Sequence, residues 1–212
     1  MLCAIATLPA ATTIDRIVAV VGKHALKQSD VDRDVRVTQF LNQEPSDSST
    51  AAQKKSLERL IDQELIRNDM AMAGNTSHLD AEARDLLNET VRKRFNGSRA
   101  QLDAELARRG FKESQLLQQL QWQLVVLQFI DQRFRAGVVV TDEEVRKYYD
   151  EHLPELKRTL TSGSNVGADS FEALSPKIRE TLEGEQVNRN FEEWLAQARK
   201  SAVIQYKVDA LK

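Results

Sequence analysis

Cysteine is nearly missing from this sequence. Cys3 is the one thiol in 212 residues, so no disulfide framework can be drawn. It lies within the first thirteen residues, and a mature chain without them would hold none, a composition that suits the bacterial periplasm and the cytosol equally. An excess of one charge is missing too: 30 Lys and Arg stand against 32 Asp and Glu, a net charge of -2. Without a basic excess, no nucleic-acid partner is expected. No run approaches the roughly 18 apolar residues that cross a bilayer, so no integral membrane segment is expected.

Catalytic signatures are equally scarce. His24, His78 and His152 are isolated, none with a second His, Cys or acidic residue at ligand spacing, and they read as solvated or turn histidines with no metal to hold. There is no G-x-S-x-G, no P-loop and no G-x-G-x-x-G. Glu143 and Glu144 are adjacent on the first turn of a helix and point in different directions, so the helix N-terminus accounts for them better than paired acid/base work does. No catalytic residue and no cofactor is expected.

What is present is a pattern of helices between two strand-forming ends. Ile17–Val21 is a β-branched run, Gly22-Lys23-His24 supplies a turn, and Ala25-Leu26-Lys27 returns antiparallel. Ser29 or Asp30 then caps a helix carrying Val31, Val35, Thr38 and Leu41, which a polar, mobile loop over residues 42–49 ends. A helix from Ala51 runs to Gly74-Asn75, a third from Asp80 to Phe95, where Asn96-Gly97 stops it, and a fourth from the Ser98 cap to Gly110.

The fifth helix, over 112–135, has a stripe of Leu116, Leu120, Leu127, Ile130 and Phe134, widened by Leu117, Leu124, Val125 and Phe129, which marks it as central. Thr141-Asp142-Glu143-Glu144 is a capping box opening a helix toward Tyr149, and Pro154 breaks or kinks it. Residues 159–169 read as a loop. Ser175-Pro176 starts a last helix with Ile178, Leu182, Val187, Phe191, Trp194, Leu195 and Ala198 facing inward. Val203, Ile204, Tyr206 and Val208 then form the strand that an isolated hairpin lacks, burying Val203, Ile204 and Tyr206. The fold class is therefore mainly α, a multi-helix body with a small antiparallel sheet made of the N-terminal hairpin and the C-terminal strand. Residues 1–13, apolar with a weak A-x-A pattern around Ala10, read as a truncated leader. Residues 14–212 read as one domain, with a linker at 158–173.

Most aromatic residues read as core. Trp122, between glutamines in LQQLQWQL and away from the stripe, and the Tyr148-Tyr149 pair are the candidates to line a groove for apolar peptide.

Two end segments resemble one family. Asp15–Val21 followed by Ser29–Asp32 looks like the start of the chaperone domain of SurA-type periplasmic proteins, and Trp194–Ile204 matches their closing W-x4-R-x2-A-x-[IV] pattern. Leu57–Ile66 and Val140–Val145 are similar to the internal helices of that family. In the family, parvulin-type prolyl isomerase domains are inserted in the chaperone core, but the stretch from Tyr149 to Phe171 is far shorter than the roughly 100 residues such a domain needs. The resemblance thus implies the core alone: a periplasmic holdase for unfolded outer-membrane or secreted polypeptide clients, acting without nucleotide or metal. Two other readings remain open, a prolyl isomerase-related enzyme with a degenerate or unrecognised site and a structural dimerisation module.

Overall fold

In the computed structural model, residues 15–72, 79–160 and 170–207 are described, those of 153–160 by their backbone alone. The leader reading of residues 1–13, His78, the end of the second helix at Gly74-Asn75, the loop residues 161–169 and Val208 lie outside the described residues. Seven α-helices and three strands are found among those described: β1 Ile17–Val21, β2 His24–Lys27, α1 Gln28–Leu41, α2 Thr50–Met72, α3 Asp80–Arg94, α4 Arg99–Arg108, α5 Glu113–Ile130, a π-helical turn Asp131–Arg135, α6 Asp142–Leu160, α7 Phe171–Ser201 and β3 Ile204–Tyr206. The fold is mainly α. The chain forms two compact units, one made of residues 1–67, 98–116 and 202–212 and the other of 68–97 and 117–201.

The first unit holds the sheet. The order is β2-β1-β3, with both neighbours antiparallel to β1, and Ala19 faces Tyr206 while Val21 faces Ile204. Strand chemistry at the two ends of the sequence thus closes one sheet, as the hairpin alone could not. Gly22 takes φ +58 in the two-residue turn, meeting the glycine-first requirement of a type II′ hairpin loop. A bulge between Ile17 and Ala19 breaks strict alternation, and Val18 and Ala19 are both buried. Burial on β3 differs from expectation: Val203 is 64% and Tyr206 47% exposed. They fill no core, and β3 is held by backbone pairing, by Gly22 N–H donating to the Val203 carbonyl (2.9 Å) and by Lys207 N–H donating to the Val18 carbonyl (2.9 Å). The Tyr206 hydroxyl adds a bond to Glu58 at 3.1 Å.

The start of α1 also departs from the sequence reading. Lys27 is the N-cap residue; its N–H donates to the Asp30 carboxylate (3.1 Å), while Asp15 accepts the Ser29 N–H (3.1 Å). The Ser29 hydroxyl, which also donates to Asp15 (2.5 Å), does most to hold the Asp15 carboxyl below its ordinary range, with the Ser29 N–H adding to it. The loop after α1 is tied down rather than mobile. The buried Gln39 amide donates to the Asp47 carbonyl (2.8 Å) and accepts the Asp47 N–H (3.1 Å), pairing with backbone as a strand would. Asp34, buried on α1, takes the Ser56 hydroxyl at 2.7 Å and the Arg59 guanidinium. In α4, Ser98 caps as expected, accepting the Gln101 N–H at 3.3 Å.

In the second unit, α6 continues past Pro154 to Leu160, where a break or a kink was expected. The last helix begins at Phe171, ahead of Ser175-Pro176, with the Ser170 hydroxyl accepting the Ala173 N–H at 3.2 Å. Pro176 therefore sits inside α7 and gives up one ladder bond within its opening turns. Leu127, placed on the α5 stripe by periodicity, is 63% exposed, and Phe129 is the buried residue of that stretch.

Candidate functional site

The link Val138–Val140 leads into α6, and its entry is set by a reciprocal capping box. Thr141 N–H donates to Glu144 Oε2 (2.7 Å) and Glu144 N–H donates to Thr141 Oγ1 (3.2 Å). The Thr141 backbone N–H, then its hydroxyl, hold the Glu144 carboxyl below its usual pKa. From there Val145, Tyr148, Tyr149 and His152 recur at i, i+3, i+4 and i+7, one face of a helix. That face meets Leu174, Ile178 and Leu182 of α7, with Val145 fully buried. The Arg179 guanidinium donates to the Val140 carbonyl and pairs with Asp142, fastening the link and the first turn of α6 to α7.

Between the two helices lies a groove of about 200 Å³. Val140, Tyr148 and Leu182 give it an apolar floor; Glu144, Glu151, Lys147 and Arg189 give a rim of both signs. Tyr148 stacks on the His152 ring at 4.0 Å, and His152 Nδ1 lies 3.0 Å from the Tyr148 carbonyl, so this ring is braced from within its own helix. Tyr149 turns elsewhere: it meets Phe171 edge-on at 5.5 Å, and Arg146 covers the other ring's face at 3.7 Å. Trp122, on α5, is half-buried and is not among the residues lining this groove. Of the three aromatic candidates, then, Tyr148 lines the groove and Tyr149 packs beside it.

An aromatic cluster in the same unit was not foreseen. Phe129, Phe134, Phe191 and Trp194 pack with ring centroids 5.4–5.9 Å apart. Arg133 lies over three of these rings, 5.5 Å from Trp194, and pairs with Asp69 at 3.0 Å. The π-helical turn explains how Phe134 joins Phe129. Residues five apart are about 140° apart around an α-helix, and the wider turn swings the later ring back toward the earlier one. The i, i+5 phenylalanine pair was the available signal. Among the described residues no group of three His, Cys, Asp or Glu could hold a metal ion, and no helix is long and apolar enough to cross a membrane.

No protein-family model matches this sequence, and no curated protein matches it. A solved structure does. It comes from the pair PEB4 and Cj1289 of Campylobacter jejuni, characterised as two structurally related SurA-like chaperones, and aligns with 91% of this chain and 99% of its own at a TM-score of 0.54 and 13% identity. The fold is that of a SurA-like chaperone. At 13% identity no residue role is carried over from it.

Proposed function

We propose that this protein is an ATP-independent periplasmic holdase with residues 14–212 as its core, binding extended segments of unfolded outer-membrane or secreted polypeptides. The observation that supports it most is the α6–α7 groove: apolar floor, charged rim, and a volume of about 200 Å³. Small-molecule sites span roughly 300–1,000 Å³, so a groove of this size suits one or two side chains of a peptide better than a cofactor. Burying one large apolar side chain yields about 1.5–3 kcal/mol, less than the roughly 4 kcal/mol of a millimolar complex. Such a contact releases its client readily, and useful affinity comes from several contacts acting together. Tyr148 is the contact residue here, Tyr149 packs beside it against Phe171, and Trp122 offers a separate aromatic side chain on α5. A holdase needs no chemistry beyond this, because preferential binding of unfolded polypeptides withholds them from aggregation by mass action. The resemblance in fold to SurA-like chaperones agrees with the reading.

The test is suppression of client aggregation at stoichiometric protein, with and without ATP. Tyr148→Ala should weaken suppression severalfold while lowering the melting temperature little. Full suppression by a folded Tyr148→Ala, Trp122→Ala double variant would remove the groove from the mechanism, and no suppression by the wild type would remove the holdase reading.

A further inference from the structure

Asn96-Gly97 is the single Asn-Gly pair of the sequence, and it forms the exposed turn between α3 and α4. Both residues are left-handed, at φ 50 and φ 79, a region that glycine enters freely and asparagine more readily than most side chains. Phe95 N–H and Gly97 N–H both donate to the Val91 carbonyl at 3.0 Å, closing the end of α3. Beyond Gly97 itself and its two chain neighbours, no atom lies within 4 Å of where a Cβ on Gly97 would stand. Gly97 thus has no side chain of its own, no residue beyond its chain neighbours crowds its Cα, and Asn96 is open to water.

We propose that Asn96 is a site of self-modification by deamidation. The Gly97 backbone nitrogen attacks Asn96 Cγ, forming a new N–C bond; the bond between Asn96 Cγ and Nδ2 breaks, and ammonia leaves with the proton lost from Gly97. Water then opens the cyclic imide at either carbonyl, giving aspartate or isoaspartate. One ammonia is released and one water consumed, with no oxidant, metal or enzyme.

The same turn restrains the reaction. The proton that must leave is donated to the Val91 carbonyl, and the left-handed backbone is held by that bond. Reaction therefore runs from the state in which the last turn of α3 has opened, an opening that helix ends make at low cost. Its products prevent full closure. Aspartate places a negative charge at the helix's negative end, where anions are disfavoured. Isoaspartate adds a carbon to the backbone, so Gly97 no longer meets Val91, and the Ser98 cap of α4 directly follows the insertion.

The experiment incubates the full-length protein in mildly alkaline buffer at body temperature, digests aliquots with trypsin, and follows the Phe95–Arg99 peptide by mass spectrometry with separation of the isoaspartyl form. A synthetic peptide of the same sequence runs alongside. Conversion should accumulate at residue 96 and not at Asn42 or Asn88, at a rate roughly tenfold below the free peptide, equivalent to about 1.4 kcal/mol for cap opening. Sub-denaturing urea should raise it toward the peptide's rate, and Gly97→Ala should suppress it in peptide and protein alike. An unreactive folded protein beside a reactive peptide would overturn the site; conversion at the peptide's full rate, insensitive to urea, would overturn the restraint by Val91.

Discussion

Asp34 is a buried carboxylate of the sheet-bearing unit that gathers several partners. Its side chain is 5% exposed and takes Arg59, itself 30% exposed, together with the fully buried Ser56. Asp34→Ala leaves the half-buried Arg59 guanidinium without this acceptor and the Ser56 hydroxyl with the Val31 carbonyl (3.1 Å), and should cost about 2–4 kcal/mol; Asp34→Asn, which keeps an acceptor, should cost less. Urea unfolding at constant m-value measures both, and a loss under about 0.5 kcal/mol, the scale of an exposed ion pair, would contradict the burial argument. Glu105 makes a second forecast. Hydrogen bonds from Arg108 and then Arg109 lower its pKa from 4.5 to about 2. A depressed folded pKa stabilises the fold above the unfolded value and loses that contribution as pH falls, here between about 4.5 and about 2. Glu105→Gln should therefore flatten the acid limb of a stability-against-pH curve over that window and lower stability at neutral pH; an acid limb of unchanged slope would refute the assignment.

Among the elements, those whose causes are local were legible in the sequence. The hairpin, the Ser98 cap, the Thr141–Glu144 box and the β-branched closing strand each need only a few adjacent residues to specify them. The misreadings have non-local causes. Asp15 caps α1 from fourteen residues before Ser29, Gln39 pins a loop that its composition marks as free, and Leu174 and Phe171 pack against α6 to draw α7's start ahead of Pro176. β3 is the element whose energetics change most. With Val203 and Tyr206 exposed, truncation after Ser201 removes ladder bonds worth about 1 kcal/mol each rather than a buried apolar layer. The expected loss is a few kcal/mol, with amide protection falling at Val20 and Gly22; unchanged protection there would show that β1 does not depend on β3. The groove was half legible: Tyr148 could be named from its placement, but the partner helix that makes a floor beneath it could not.

For the whole molecule, the stretch between Leu160 and Phe171 is too short for the roughly 100 residues of an inserted isomerase domain. A protease-coupled assay on proline peptides should accordingly find no rate above the uncatalysed one, and clear acceleration by a contaminant-free sample would restore the enzyme reading. The sheet built from the two ends of the sequence has a consequence in time. β3 follows β2 by 176 residues, so during synthesis the middle strand waits through that interval with one side unpaired. A free strand edge is a template for any extended polypeptide nearby, and pairings this distant in sequence form slowly. A protein proposed to shelter the unfinished folds of others thus passes through its own birth with the same exposure, and delays in its synthesis or delivery prolong the interval in which it is itself a client.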